Sequence, residues 1–422
     1  MQDDVIPHAE AGDEQIAPVP RISLQAFCET AELASVIADA AEDRRMDKAH
    51  VRVQMGGAPG AVEAYRSAPT PNVVILETTG RKGEIRGHLD ELAEVCDATT
   101  KVIVVGQVND ILLYRELMAR GVSEYLIGPV GVLAVIRAVS SLYAAEGAKP
   151  VGRSIAIIGA KGGVGASTIA HNLAWAISRD IGTDTCIADM DLAFGTGGLD
   201  FNQDPPQGIA DAIFSPDRVD TAFVDRLLSR CADNLSLLAA PATLDRVSDL
   251  GPEAFDPLLD ILKATMPSIV LDLPHTWTGW TKRALVTADE ILVVATPDLA
   301  NLRNAKNLMD LLRASRPNDT PPRYILNQIG VAKRPEIKPA DFAKALEAEP
   351  IAVIPFEPQL FGTAANNGQM IAEMEPGHRI ALQFTDLALA VTGRHDTRKA
   401  KAGLLGPLSP LLEKLGQLRK KA

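Results

Sequence analysis

From Ser154 to Arg179 a short apolar run, a glycine-rich turn and a helical pattern follow one another directly, and this arrangement constrains the fold more than any other feature. The turn reads Ile157-Ile-Gly-Ala-Lys-Gly-Gly-Val-Gly-Ala-Ser-Thr168. Ser154–Gly159 has the character of a buried strand, and Thr168–Arg179 that of a helix laid on a sheet. Glycines at such a junction let backbone N–H groups gather around phosphate oxygens at a helix N-terminus. Against the pattern G-x-x-x-x-G-K-[ST], Ala160 replaces the first glycine and Ala166 the phosphate-binding lysine, whereas Ser167 keeps the magnesium-binding hydroxyl. A dinucleotide-binding turn fits less well, because Thr168 stands where its third glycine belongs.

At 422 residues the chain exceeds the ~250–300 at which single cores stop growing, so two folded domains are expected. Residues 1–20, acidic and proline-bearing, read as a disordered leader. Apolar runs at Ile22–Phe27, Val51–Met55, Val73–Leu76, Lys101–Val105 and Glu124–Ile127 then alternate with helical patterns such as Glu29–Asp43 and Asp110–Arg120. Five strand–helix repeats over residues 21–143 predict a flavodoxin-like domain. Residues 144–153, small and Gly/Pro-bearing, read as a linker. A larger domain over residues 154–392 carries further strands at Thr185–Ala188, Leu235–Ala239, Ile269–Leu273, Glu290–Ala295, Arg323–Leu326 and Ile351–Ile354. The fold class is therefore α/β, with two doubly wound domains, the second built around a P-loop.

The run Lys161-Gly-Gly-Val-Gly-Ala-Ser-Thr168 resembles the deviant Walker A loop of the ParA/MinD family of ATPases, in which the early lysine is the distinguishing residue. Other landmarks follow in order. Asp189-Met-Asp191 is similar to the family's first switch, Val270-Leu-Asp272-Leu-Pro274 to its Walker B strand, and Tyr324-Ile-Leu-Asn327 and Ile354-Pro355-Phe-Glu-Pro-Gln359 to its adenine-side segments. The likeness extends from Ser154 to about Leu389 and implies ATP and Mg²⁺ as cofactors. Lys161, Gly162, Gly163, Val164, Gly165, Ala166, Ser167 and Thr168 would line the phosphates, with Asn327 and Pro355 on the adenine side. Ser167 would ligate Mg²⁺ and Asp272 would reach it through water. By the same resemblance Lys161, Asp191 and Asp272 carry the chemistry. Asp191 would position the attacking water, and Lys161 would reach the other nucleotide of a face-to-face homodimer closed over two ATP molecules. Asp189 has a second reading, as a structural carboxylate that fixes the switch. Loss of the lysine at Ala166 removes a charged hydrogen bond worth ~1.5–3 kcal/mol, which binding tolerates. Hydrolysis is more exposed, since a cation on the transferred phosphoryl is worth ~10³–10⁵ in rate. A weak, slow ATPase at most is expected.

In the first domain, Pro71-Asn-Val-Val-Ile-Leu-Glu77 and Gly121-Val-Ser-Glu-Tyr-Leu-Ile-Gly-Pro129 resemble the third and fifth strands of response-regulator receivers. Glu77 stands at the phosphoryl-accepting aspartate, Gly128 at the lysine, and Cys28-Glu29 at the acidic pair, so a pseudo-receiver that binds proteins is the implied role. A receiver-like domain ahead of a ParA/MinD-like ATPase is similar to the CpaE/TadZ-type proteins of Tad (Flp) pilus assembly. That layout implies a cytoplasmic, often polar factor, with the Tad secretion ATPase and inner-membrane pilus assembly proteins as partners.

The formal net charge of −12 opposes non-specific nucleic-acid binding, which draws its affinity from cations placed on phosphates. Residues 393–422 depart from the rest: eight Lys or Arg against two acids from Arg394 onward, and leucines at Leu411, Leu412, Leu415 and Leu418 near helical spacing. The tail reads as a peripheral membrane contact, a partner-binding helix or a disordered extension. Neither a secretory leader nor a run of ~18 apolar residues is visible, so no export and no membrane span are expected. Cys28, Cys96, Cys186 and Cys231 form no CxxC pair, which argues against a zinc framework and against a nitrogenase-reductase-like electron carrier. The seven histidines show no ligand spacing and read as surface or packing residues. Trp277 and Trp280 read equally as a dimer surface or as core packing. The main competing function is an active ParA/MinD-like ATPase that positions cargo on membrane or nucleoid.

Overall fold

A computed structural model describes residues 16–80, 82–144, 151–244 and 249–393. The chain divides into two compact units, Met1–Pro150 with Ala314–Thr320, and Val151–Arg313 with Pro321–Ala422. The basic tail from residue 394 and the first 15 residues of the leader lie outside the described residues.

In the first unit the strands are β1 (Ile22–Cys28), β2 (Ala49–Met55), β3 (Val73–Thr78), β4 (Lys101–Gly106) and β5 (Glu124–Ile127). They pair in parallel in the order β2-β1-β3-β4-β5, the flavodoxin-like order. Every residue of β3 is buried, as a strand covered by helices on both faces must be. Thr30 caps the helix Ala31–Ala41 by accepting from Leu33 N, and Asp110 caps Ile111–Ala119 by accepting from Leu112 N and Leu113 N. The first unit reaches back beyond the expected boundary at Arg21. Val19 is buried, its N–H donates to Arg45 O, and Ser140 Oγ donates to Ala17 O, so residues 16–20 belong to this unit rather than to a disordered leader.

The second unit holds β6 (Arg153–Gly159), β7 (Thr185–Asp189), β8 (Ser229–Ala232), β9 (Leu235–Leu238), β10 (Ser268–Leu273), β11 (Glu290–Ala295), β12 (Arg323–Ile329) and β13 (Ala352–Pro355). Their order is β13-β12-β11-β6-β10-β7-β9-β8, parallel except for the edge pair β8/β9. Alternate residues of β6 feed two cores. Ala156 and Ile158 join one face with Trp280, Met309 and Tyr324, while Ile155 and Ile157 join the other with Leu173, Phe384 and Leu387. Gly152 and Arg153, expected to end the linker, are packed: their N–H groups donate to Lys263 O and Pro267 O. The helix after the glycine turn spans Ala166–Ala176, starting two residues earlier than expected, because Gly165 adopts a left-handed φ of 84° and turns the chain into it.

Candidate functional site

The turn after β6, the ends of β7 and β10, and β12 and β13 beyond them carry the residues that the sequence singled out. Four carbonyls of the glycine turn are tied outward. Gly159 O accepts from His275 Nδ1 at 2.8 Å, Ala160 O from Asn304 Nδ2 at 2.9 Å, Gly163 O from Gln328 Nε2 at 3.2 Å, and Val164 O from Asn327 Nδ2 at 2.8 Å. These four acceptors are thus occupied, and the turn runs directly into the start of a helix, a place that suits an anion. Gly163 and Gly165 both have positive φ, and a Cβ on Gly165 would lie 2.8 Å from Asn327 Nδ2. Ala166, Ser167 and Thr168 are half-buried in the first helical turn, and Lys161 and Gly162 are exposed.

Asn327 has a part that adenine contact alone does not describe. Both ends of its amide are engaged, Nδ2 with Val164 O and Oδ1 with Gln328 N, so in this structure it braces the phosphate turn. Pro355 ends β13, three strands from β6 along the same sheet edge. Burial raises the Asp298 carboxyl, but hydrogen bonds from Asn301 and Thr296 outweigh it, with a lesser contribution from the Lys161 charge, and hold it below the usual range.

The carboxylates are layered by burial. Asp272 on β10 is in register with Asp189 on β7 and with Ile157 on β6. Asp189 is fully buried and accepts from Gly197 N at 2.9 Å and Asp191 N at 3.2 Å, which pins the loop that follows β7. Burial and the neighbouring Asp272 charge push its carboxyl up to about 7. Asp191 is half-buried, and its carboxylate accepts from Phe194 N at 3.0 Å and Ala193 N at 3.3 Å, closing a turn on itself. Asp272 Oδ1 is buried and has no hydrogen-bond partner among the described residues.

His171 belongs to this layer, although the sequence reading placed it among packing residues. It is fully buried, with Nδ1 2.7 Å from Asp200 Oδ2 and Nε2 3.4 Å from Asp272 Oδ2. Burial lowers its pKa, but the hydrogen bonds and charges of the two aspartates outweigh that and hold it up at about 10. A signal for it existed. Ser167 and His171 are four apart on one helix, so the histidine shares the face of the hydroxyl expected to bind magnesium. His275 had a weaker one, its place directly after Pro274 at the end of the Walker B-like segment, whereas Asn304 and Gln328 had none.

Beside the turn, on the side of the helix Leu299–Ser315, lies a cavity of about 320 Å³ lined in part by Gly159, Ala160, His275, Trp277, Asn304 and Leu308. The two tryptophans separate here: Trp277 is half exposed at the cavity, and Trp280 is buried with its ring 4.7 Å from Phe255. The residues fit a nucleotide with its magnesium. The positive-φ glycines leave a backbone cradle that side chains would fill, and Asp272 offers an oxygen that lacks a protein partner. No group of three or more His, Cys, Asp or Glu among the described residues forms a ready-made metal cage.

In the first unit Glu77 is buried at the end of β3. Its Oε2 accepts from Glu29 N at 2.7 Å and Thr30 N at 2.8 Å, and its Oε1 from Thr30 Oγ1 at 2.6 Å. Glu29 in turn accepts from Thr79 N at 2.8 Å. The acidic corner is thus closed by its own hydrogen bonds, and burial, aided by Glu77, pushes the Cys28 thiol up to about 11.

A family model described as an AAA domain matches residues 152–318. The septum site-determining protein MinD of Bacillus subtilis is 26% identical over 258 residues, covering 58% of this chain and 90% of that protein. The solved pilus assembly protein CpaE of Caulobacter crescentus is 53% identical, over 31% of this chain and 100% of that one, with a TM-score of 0.30. MinD of Pyrococcus horikoshii, solved with Mg-ADP, is 21% identical, covers 57% of this chain and 96% of its own, and superposes with a TM-score of 0.51, which establishes a common fold.

Proposed function

Because the chain belongs to the CpaE-type ParA/MinD-like ATPases, we propose that it is a nucleotide-gated, dimeric localisation and assembly factor for the Tad pilus secretion machinery. An ATP-binding ParA-like protein of pilus assembly is what the relatives support; gating, dimerisation and slow turnover are our reading of the site. The observation that carries it is a phosphate turn with its backbone cradle intact, Ala166 at the lysine position, and Lys161 exposed on the same turn. Such a turn binds through amides and metal, and it presents an exposed cation to meet a second protomer while lacking the one that would speed phosphoryl transfer. Binding then serves assembly.

In this reading Ser167 and Asp272 hold Mg²⁺, the latter through water, and Asp191 stands beside the γ-phosphate on a loop that Asp189 anchors. The first unit acts as a pseudo-receiver: the closed Glu77 corner supports a protein-docking role and no phosphoryl transfer. No helix among the described residues is long and apolar enough to cross a membrane. A polar, cytoplasmic position with peripheral inner-membrane association is proposed, reached through pilus partners or the basic tail. Titration with a fluorescent ATP analogue in the presence and absence of Mg²⁺ tests the site. Tight binding that Mg²⁺ strengthens, with turnover well below one per minute, is the expected result, and absence of binding contradicts it.

A further inference from the structure

His171 joins two segments that the chain separates widely. From the helix Ala166–Ala176 its Nδ1 meets Asp200 at 2.7 Å, on the short helix Gly197–Asp200, and its Nε2 faces Asp272 at 3.4 Å, on β10. An imidazole fixed between two carboxylates is a bridge of set length. Phe201, with its ring centre 5.3 Å away, confines the histidine from a further side. At one end of the bridge Asp272 keeps Oδ1 unpartnered among the described residues. At the other end Asp200 also accepts from Thr196 Oγ1 at 3.3 Å, and Gly197 N is bound to Asp189. Asp272 and the loop Asp191–Asp200, which carries Phe194 at 75% exposure, thus meet on opposite sides of one buried ring, hydrogen-bonded at the Asp200 end and in close charge contact at the Asp272 end.

We propose that His171 is a positioning residue that couples the Asp272 side of the nucleotide–magnesium site to the loop Asp191–Asp200, so that loading the site sets the place of that loop. The inference rests on the nucleotide reading above. A purely structural histidine would cost stability when replaced, yet would leave the response of the loop to nucleotide unchanged in molecules that remain folded.

Hydrogen exchange on the full chain separates these cases, with nucleotide affinity measured in parallel using a fluorescent ATP analogue. The variants are His171→Gln and Asp200→Asn. The Asp200 side chain is 19% exposed, so its variant keeps the comparison available if the buried substitution does not fold. In the parent, ATP with Mg²⁺ is expected to slow exchange of the amides in 191–200 by about tenfold, a size typical of local opening equilibria. Each variant is expected to bind the analogue within about threefold of the parent, under 1 kcal/mol, while losing most of that protection. Variants that bind and protect like the parent overturn the proposal, as does a parent that binds ATP with no change in 191–200. A parent that binds no nucleotide overturns the reading of the site itself, and this inference with it.

Discussion

At the residue scale the layer of charge beneath the phosphate turn is the most consequential feature. His171 has its pKa raised from 6.5 to about 10, so its contribution to stability is fully present below pH 6.5 and is lost as pH rises through 10. Asp189, raised from 3.8 to about 7, contributes in the same sense: its favourable term is present below pH 3.8 and is lost as pH rises through 7. Thermal melts of the nucleotide-free, magnesium-free chain are therefore expected to fall in two successive stages, from pH 3.8 to about 7 as Asp189 ionises in the fold and from pH 6.5 to about 10 as His171 loses its proton there. His171→Asn should flatten the upper stage, by more than about 3 °C at pH 8 relative to pH 10, the scale of 1 kcal/mol in a domain of this size. A parent melt that is level from pH 8 to 10 would show that the ring is neutral in the fold. Neither assignment could be read from spacing alone. The sequence places His171 four residues from Ser167, but the carboxylates that charge it arrive from residues 29 and 101 positions downstream.

At the element scale, what was legible followed from local rules. Parallel strands buried on both faces leave continuous apolar runs, and Ile155–Ile158 and Ile291–Ala295 were found that way. The edge strand Ser229–Ala232 was not, because it is short, partly exposed and carries Arg230 and Cys231 where alternation would be expected. The turn's glycines were legible since their backbone requirement is local, whereas the braces Asn304 and His275 reach it from 144 and 116 residues away. This division yields a paired test. Gly165→Ala combines strained φ with a Cβ 2.8 Å from Asn327 Nδ2, whereas Gly163→Ala has strained φ and open space. The first should destabilise by about 2–3 kcal/mol and abolish nucleotide binding, and the second by about 1 kcal/mol with weakened binding. Melting and titration of both variants check this, and equal effects would mean that the Asn327 brace is unimportant. In the first unit Glu77→Gln should cost about 2 kcal/mol through the lost charge-assisted bonds from Glu29, Thr30 and its hydroxyl. Mass spectrometry after treatment with acetyl phosphate should find no labile phosphate on the parent chain, and stoichiometric labelling would end the pseudo-receiver reading.

At the scale of the whole molecule the proposal is a closed receiver-like unit followed by an ATP-binding unit that assembles instead of turning over. The basic segment Leu404–Ala422 lies beyond every residue of the nucleotide site, so its deletion should disturb placement in the cell and leave ATP affinity unchanged. Fluorescence imaging with a parallel titration decides that point. Ala166→Lys should return a cation to the phosphates and raise hydrolysis at least tenfold, measured as phosphate release. The central claim is that nucleotide drives two copies together through Lys161. Sedimentation velocity on the parent and on Lys161→Ala, each with saturating ATP and Mg²⁺, tests it most directly. The account predicts an ATP-dependent dimer for the parent and a monomer for the variant, with nucleotide affinity lowered far less than dimerisation. A Lys161→Ala protein that dimerises with ATP as the parent does would contradict it.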